Sequence, residues 1–77
     1  MKMRSGLLAD ESRRLLRDEA LNHVLDSIRD EALQELTAVD ASDTVSVLRL
    51  QERAKMPEEL RRQFESIIEL DEIEGSA

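Results

Sequence analysis

Residues 18–39 read DEALNHVLDSIRDEALQELTAV. Leu21, Val24, Leu25, Ile28, Ala32, Leu36 and Val39 recur at helical spacing. At about 100° per residue they fit within about 120° of a helix surface. Asn22, His23, Asp26, Asp30 and Gln34 fill the opposite side. The spacing predicts an amphipathic helix over 18–39 whose apolar stripe must be covered. A coiled-coil register through Leu21, Leu25, Ile28, Ala32 and Val39 puts Glu35 at a core position. That favours a short bundle over an extended coil.

Downstream, Asp40-Ala41-Ser42-Asp43 is the strongest turn signal, because Asp and Ser side chains bond their own backbone in competition with a helix. Asp40 or Ser42 is expected to cap the helix after the turn. A connection this short makes its two flanking helices antiparallel neighbours. The second arm is expected over 43–74. Val47, Leu50 and Ala54 share one face, and Leu60, Phe64, Ile67 and Ile68 another, roughly 80° away on a straight helix. Pro57 lies between the two faces, so the arm is expected to kink or break near Lys55-Met56, with Pro57 opening a new segment. Gly75 is a suitable stop, leaving 75–77 as a tail. Glu58–Arg62 and Arg61–Glu65 are spaced as surface pairs.

Upstream, residues 7–17 predict a short helix with Leu8 and Leu15 on one side and an Asp10–Arg14 pair, after a mobile leader over 1–6. Asp18 is placed to cap the next helix, with Glu19 in its first turn. The chain either bends at Arg17-Asp18 or runs straight through. The fold expected is therefore all-α, one domain over 1–77. It is a helical hairpin or small three-helix unit whose second arm is kinked near Pro57.

With 77 residues and one aromatic, Phe64, the core is marginal. There is no cysteine to staple it, which fits a reducing compartment. Leu7-Leu8-Ala9 is too short an apolar run for a signal peptide, and nothing reaches membrane-spanning length, so neither secretion by a signal nor a membrane is expected. The net charge is −7, from 18 acids and 11 bases.

The residues that could carry chemistry form no constellation. Glu19 and His23 stand one helical turn apart, with Asp26 beyond, but a single histidine on a polar face reads as solvated rather than metal-binding. No nucleophile–base set, glycine-rich phosphate loop or Walker lysine is present. Neither an enzyme nor a cofactor is expected. Arg49, Arg53 and Lys55 form the best basic cluster for nucleic acid, opposed by net charge and by the lack of aromatics for stacking. The acids Glu65, Glu69, Asp71, Glu72 and Glu74 could instead mimic phosphates and block a nucleic-acid-binding protein.

Apolar surface carries the functional reading. Val24, Leu25, Ile28, Leu36, Leu50, Leu60, Phe64 and Ile67 are expected inside, and Val45 and Leu48 form a second apolar edge that a hairpin does not need. Either residues 7–17 fold back as a third helix or another chain completes the core. Val45, Leu48, Leu50, Phe64 and Ile67 are the candidate partner contacts, with a homo-oligomer or a larger protein as partner.

Leu15-Leu16 with Asp18-Glu19-Ala20-Leu21, Ile28-Arg29-Asp30-Glu31, Asp40–Asp43, and Phe64-Glu65-Ser66-Ile67-Ile68 with Gly75 succeed one another over roughly 15 to 75. In this the chain resembles a loose group of small helical proteins encoded by tailed bacteriophages near their head and packaging genes. It departs from them in lacking a tryptophan in the second arm and in carrying Pro57 there. The resemblance implies a virion or assembly component, in the host cytoplasm or the virion, that binds itself or a larger phage structural protein. The alternative is a small nucleic-acid-associated regulator or packaging accessory.

Overall fold

The structure, a computed structural model, describes residues 3–76. It comprises three helices, α1 (Met3–Leu16), α2 (Glu19–Ala38) and α3 (Thr44–Ser76), with no strand among the described residues. The all-α expectation holds.

Local chemistry explains the boundaries. The Asp18 carboxylate accepts from the Leu21 amide at 2.8 Å, so the expected cap of α2 is present. At the other turn the cap of α3 is Asp43 rather than Asp40 or Ser42. Its Oδ1 accepts from the Ser46 amide at 3.1 Å, and the Ser46 hydroxyl donates to its Oδ2 at 2.7 Å. Asp40 holds the turn before it, accepting from the Ser42 amide and hydroxyl. The expected leader is cut back, since α1 begins at Met3; Met1 and Lys2 lie outside the described residues, as does Ala77 of the expected tail. Gly75 does not stop α3, which runs to Ser76, and no described glycine has a positive φ.

α3 is the spine. Its 33 residues extend about 50 Å at 1.5 Å per residue, matching the molecule's longest dimension of 52 Å. α2 returns antiparallel along its first half and α1 along its second. Three ion pairs fix one register for both: Glu31 with Arg53, Asp26 with Arg61, and Arg13 with Asp71. The chain breaks at Arg17-Asp18, where the Arg17 and Asp18 amides donate back to the Arg14 and Leu15 carbonyls. Residues 7–17 therefore do pack back, but end to end with α2. They lengthen one arm of the hairpin and add no second layer. At 52 × 23 × 15 Å the molecule is two helices wide and about one helix thick.

α3 is continuous across Lys55-Met56, so Pro57 is an interior residue and opens no new segment. Pro57 is fully buried in the seam. The 80° offset between the two apolar faces needs no break. The inward positions Leu50, Ala54, Pro57, Arg61, Phe64, Ile68 and Asp71 recur at alternating steps of three and four, forming one continuous seam. Two of them are charged, and each is met by a partner across the seam.

The seam is lined with small residues. Ala9 and Ala32 are completely buried and Ser12 nearly so, and among the described residues Leu25 and Pro57 are the only larger aliphatic side chains in that class. Ser12 is accommodated because its hydroxyl donates to the Leu8 carbonyl at 2.7 Å. Two residues expected inside are outside: Val24 is 52% and Leu60 41% exposed. A plate one helix thick has an inner edge but no enclosed interior, so residues at the border of each stripe open onto a broad face.

Candidate contact surface

The two broad faces differ. On one, Leu25 and Ile28 of α2 and Met56, Pro57 and Leu60 of α3 line a groove of about 340 Å³, with Glu59 and Gln63 at its rim. On the other, Arg29, Leu33 and Leu36 face Gln51, Ala54, Lys55 and Glu58 around a hollow of about 390 Å³. Helix geometry puts these sets on opposite flanks: Ile28 and Arg29 point about 100° apart on α2, as Leu60 and Arg61 do on α3. One broad face thus has an apolar groove at its centre, with Glu31, Glu35, Arg49 and Arg53 beyond it toward the turn, and the other is mixed polar.

The apolar strip outruns the groove. On a continuous α3, Val45, Met56, Leu60, Ile67 and Leu70 fall within about 80°. Val45, Met56 and Leu70 are each about 60% exposed. Of the expected partner contacts, Val45 and Leu48 are open to solvent at 64% and 61%, with Leu48 turned toward the back of α3. Leu50 and Phe64 sit at the centre of the inward face and hold the hairpin together. Ile67, also half-buried, borders the apolar face.

The polar face is knitted by one residue that the helical pattern misplaces. Asn22 belongs to the stretch's polar side, yet it sits half-buried where all three helices meet. Its amide donates to the Leu16 carbonyl at the end of α1 and to the Asp18 carbonyl, both at 2.9 Å. Its side-chain oxygen accepts from Arg61 of α3 at 3.1 and 3.2 Å. Arg61 also reaches Asp26 at 3.0 Å, and not the expected Glu65. The only signal of this in the sequence is that Asn22 lies four residues after a capping Asp, within reach of α1's last carbonyls. Near the start of the chain, Arg13 pairs with Asp10 and Arg14 with Glu11, so the Asp10–Arg14 pairing does not form.

The charged candidates do not converge. Arg49 and Arg53 share a flank, and Arg53 lies 4.0 Å from Glu31. Lys55 projects more than 100° away, beside Glu58. His23 is exposed, and no group of three metal-ligating side chains gathers among the described residues. In the turn, hydrogen bonds from Ser42 hold the Asp40 carboxyl below its usual range. The Ser46 hydroxyl and amide, with Arg49 nearby, do the same for Asp43. Glu11 raises the Arg14 guanidinium. These shifts accompany capping and surface pairing, and none lies in the groove.

Among the described residues no helix is long and apolar enough to cross a membrane. Compared with protein-family models, curated proteins and solved structures, the chain matches none.

Proposed function

We propose that this chain is a non-enzymatic structural or assembly protein that works through helix–helix contacts, with itself or with a larger partner. Its resemblance to small phage-encoded helical proteins suggests where: a bacteriophage virion or its head-packaging machinery. The observation that carries the reading is the apolar broad face, where Val24, Met56 and Leu60 are exposed around a groove floored by Leu25 and Pro57. A domain ordinarily buries the apolar side of its helices against a second layer, and this plate has one layer. Exposed apolar patches of several hundred Å² mark interaction sites.

The test is light scattering on the eluting peak with circular dichroism on the same material, for the native chain, Leu60→Glu and Val45→Asp. Both substitutions fall on exposed positions, so helicity should persist while assembly mass falls. A native chain that is a helical monomer, with a melting midpoint independent of concentration and unchanged by Leu60→Glu, would sink self-association and leave a larger partner as the remaining arm of the reading.

A further inference from the structure

We infer that the apolar broad face is closed by a second copy of this chain, laid face to face with its ends exchanged, so that α3 packs against the partner's α3 in the opposite direction. The inference rests on the proposed contact function and specifies its partner and geometry. Three features of the molecule support it.

The groove is central. α3 spans Thr44–Ser76, with Leu60 at its midpoint, and the groove draws on residues 56–63 of it. A two-fold axis through the groove therefore overlays the two plates along their whole length. An isologous interface needs such a self-facing patch on the axis. A patch at one end would leave half of each face bare.

The area suffices. A face of 52 × 23 Å offers roughly 1,200 Å², against about 800 Å² per partner in a standard interface. Partial overlap of the two faces reaches that size.

Charge sets the direction. Before Pro57, α3 carries Arg49, Arg53 and Lys55 with one acid, Glu52; after Arg62 it carries five acids and no base. Within the apolar strip itself Arg49 lies in the first half and Glu74 in the second, about 20° apart on the helix, whereas Arg53 and Asp71 turn toward the seam, where Glu31 and Arg13 meet them. With ends exchanged, Arg49 comes toward the partner's Glu74 at each end. With α3 against α3 and ends aligned, acids would face acids, which is destabilising. Beyond the groove, exchanged ends also bring Val45 toward the partner's exposed Leu70 region, so the strip is covered at both extremities.

The chain has no native cysteine, so single introduced cysteines give unique spin-label positions. Two full-length variants suffice, Gln63→Cys near the axis and Val45→Cys near one end, each checked for native helicity and mass. Electron–electron distances between the two copies are then read. Exchanged ends give a separation under about 20 Å for the label at 63 and about 45 Å for the label at 45, at 1.5 Å rise per residue. Short distances at both positions mean aligned ends and overturn the proposal while the contact reading stands. A monomer in which Leu60→Glu is also silent overturns the proposal, and the contact reading then rests on a larger partner alone. A dimer whose label distances are both long places the interface off the groove and overturns the proposal as well.

Discussion

Asn22 is the residue on which the three helices depend together. It satisfies the Leu16 carbonyl that the break at Arg17-Asp18 leaves without a helical donor, and it accepts from Arg61. Asn22→Leu keeps the volume but strands those groups. It should cost about 1–3 kcal/mol, as expected for a part-buried hydrogen-bonded group, and lower the thermal midpoint. Asp26→Ala, which removes only an exposed ion pair, should cost less than about 1 kcal/mol. If the two variants melt alike, Asn22 does not tie the helices together. The turn aspartates make a pH prediction. Asp40 and Asp43 titrate lower in the folded chain than their ordinary 3.8. Their contribution is therefore present above that pH and is lost as pH falls through the folded values. Melting followed from neutral pH to below that point should show a shallower acid loss in Asp40→Asn/Asp43→Asn than in the native chain. The turn aspartates stand out in the sequence, but the role of Asn22 does not. Asn22 falls in a polar run on the helical wheel, and only the break beside it turns that position inward.

The helices are legible in the sequence because their signals are local. The stripe over 18–39, the Asp18 cap and the Asp-Ser-Asp turn each act within a few residues, and each is found in place. Features set by tertiary contact are not legible in the same way. Leu60 and Ile67 resemble core because they are apolar, and including them displaces the inferred face of the second arm. Arg61 and Asp71 resemble surface because they are charged, although both lie on the seam. Pro57 reads as a break for its missing amide, yet its ring is buried against α2 within a continuous α3. Pro57→Ala tests which effect dominates. Removing an interior proline favours the helix by about 3 kcal/mol, and losing two packed carbons costs roughly 1.6 kcal/mol. The variant should be more helical and melt higher; a lower midpoint would mean that the ring's packing outweighs the backbone defect.

At the scale of the whole molecule, thickness is the governing quantity. Two antiparallel arms give a long seam, but a plate 15 Å deep buries few large side chains, Leu25 and Pro57 among the described residues. Stability should therefore depend on concentration: the melting midpoint should fall across a hundredfold dilution series, because association adds the missing layer. Leu60→Glu should flatten that dependence without abolishing helicity. The sequence hints at this through an excess of apolar edges, though it places the excess at Val45 and Leu48 alone, whereas the surface extends through Met56 and Leu60 to Leu70. The end-to-end joint between α1 and α2 has its own consequence. Each of these helices is held by a different half of α3 and scarcely by the other. The two halves can open separately, and α1 presents small residues, Ala9 and Ser12, where α2 presents Leu25. Amide protons of α1 will exchange with deuterium ahead of those of α2, and the second half of α3 will lose its protection together with α1 rather than with its own first half.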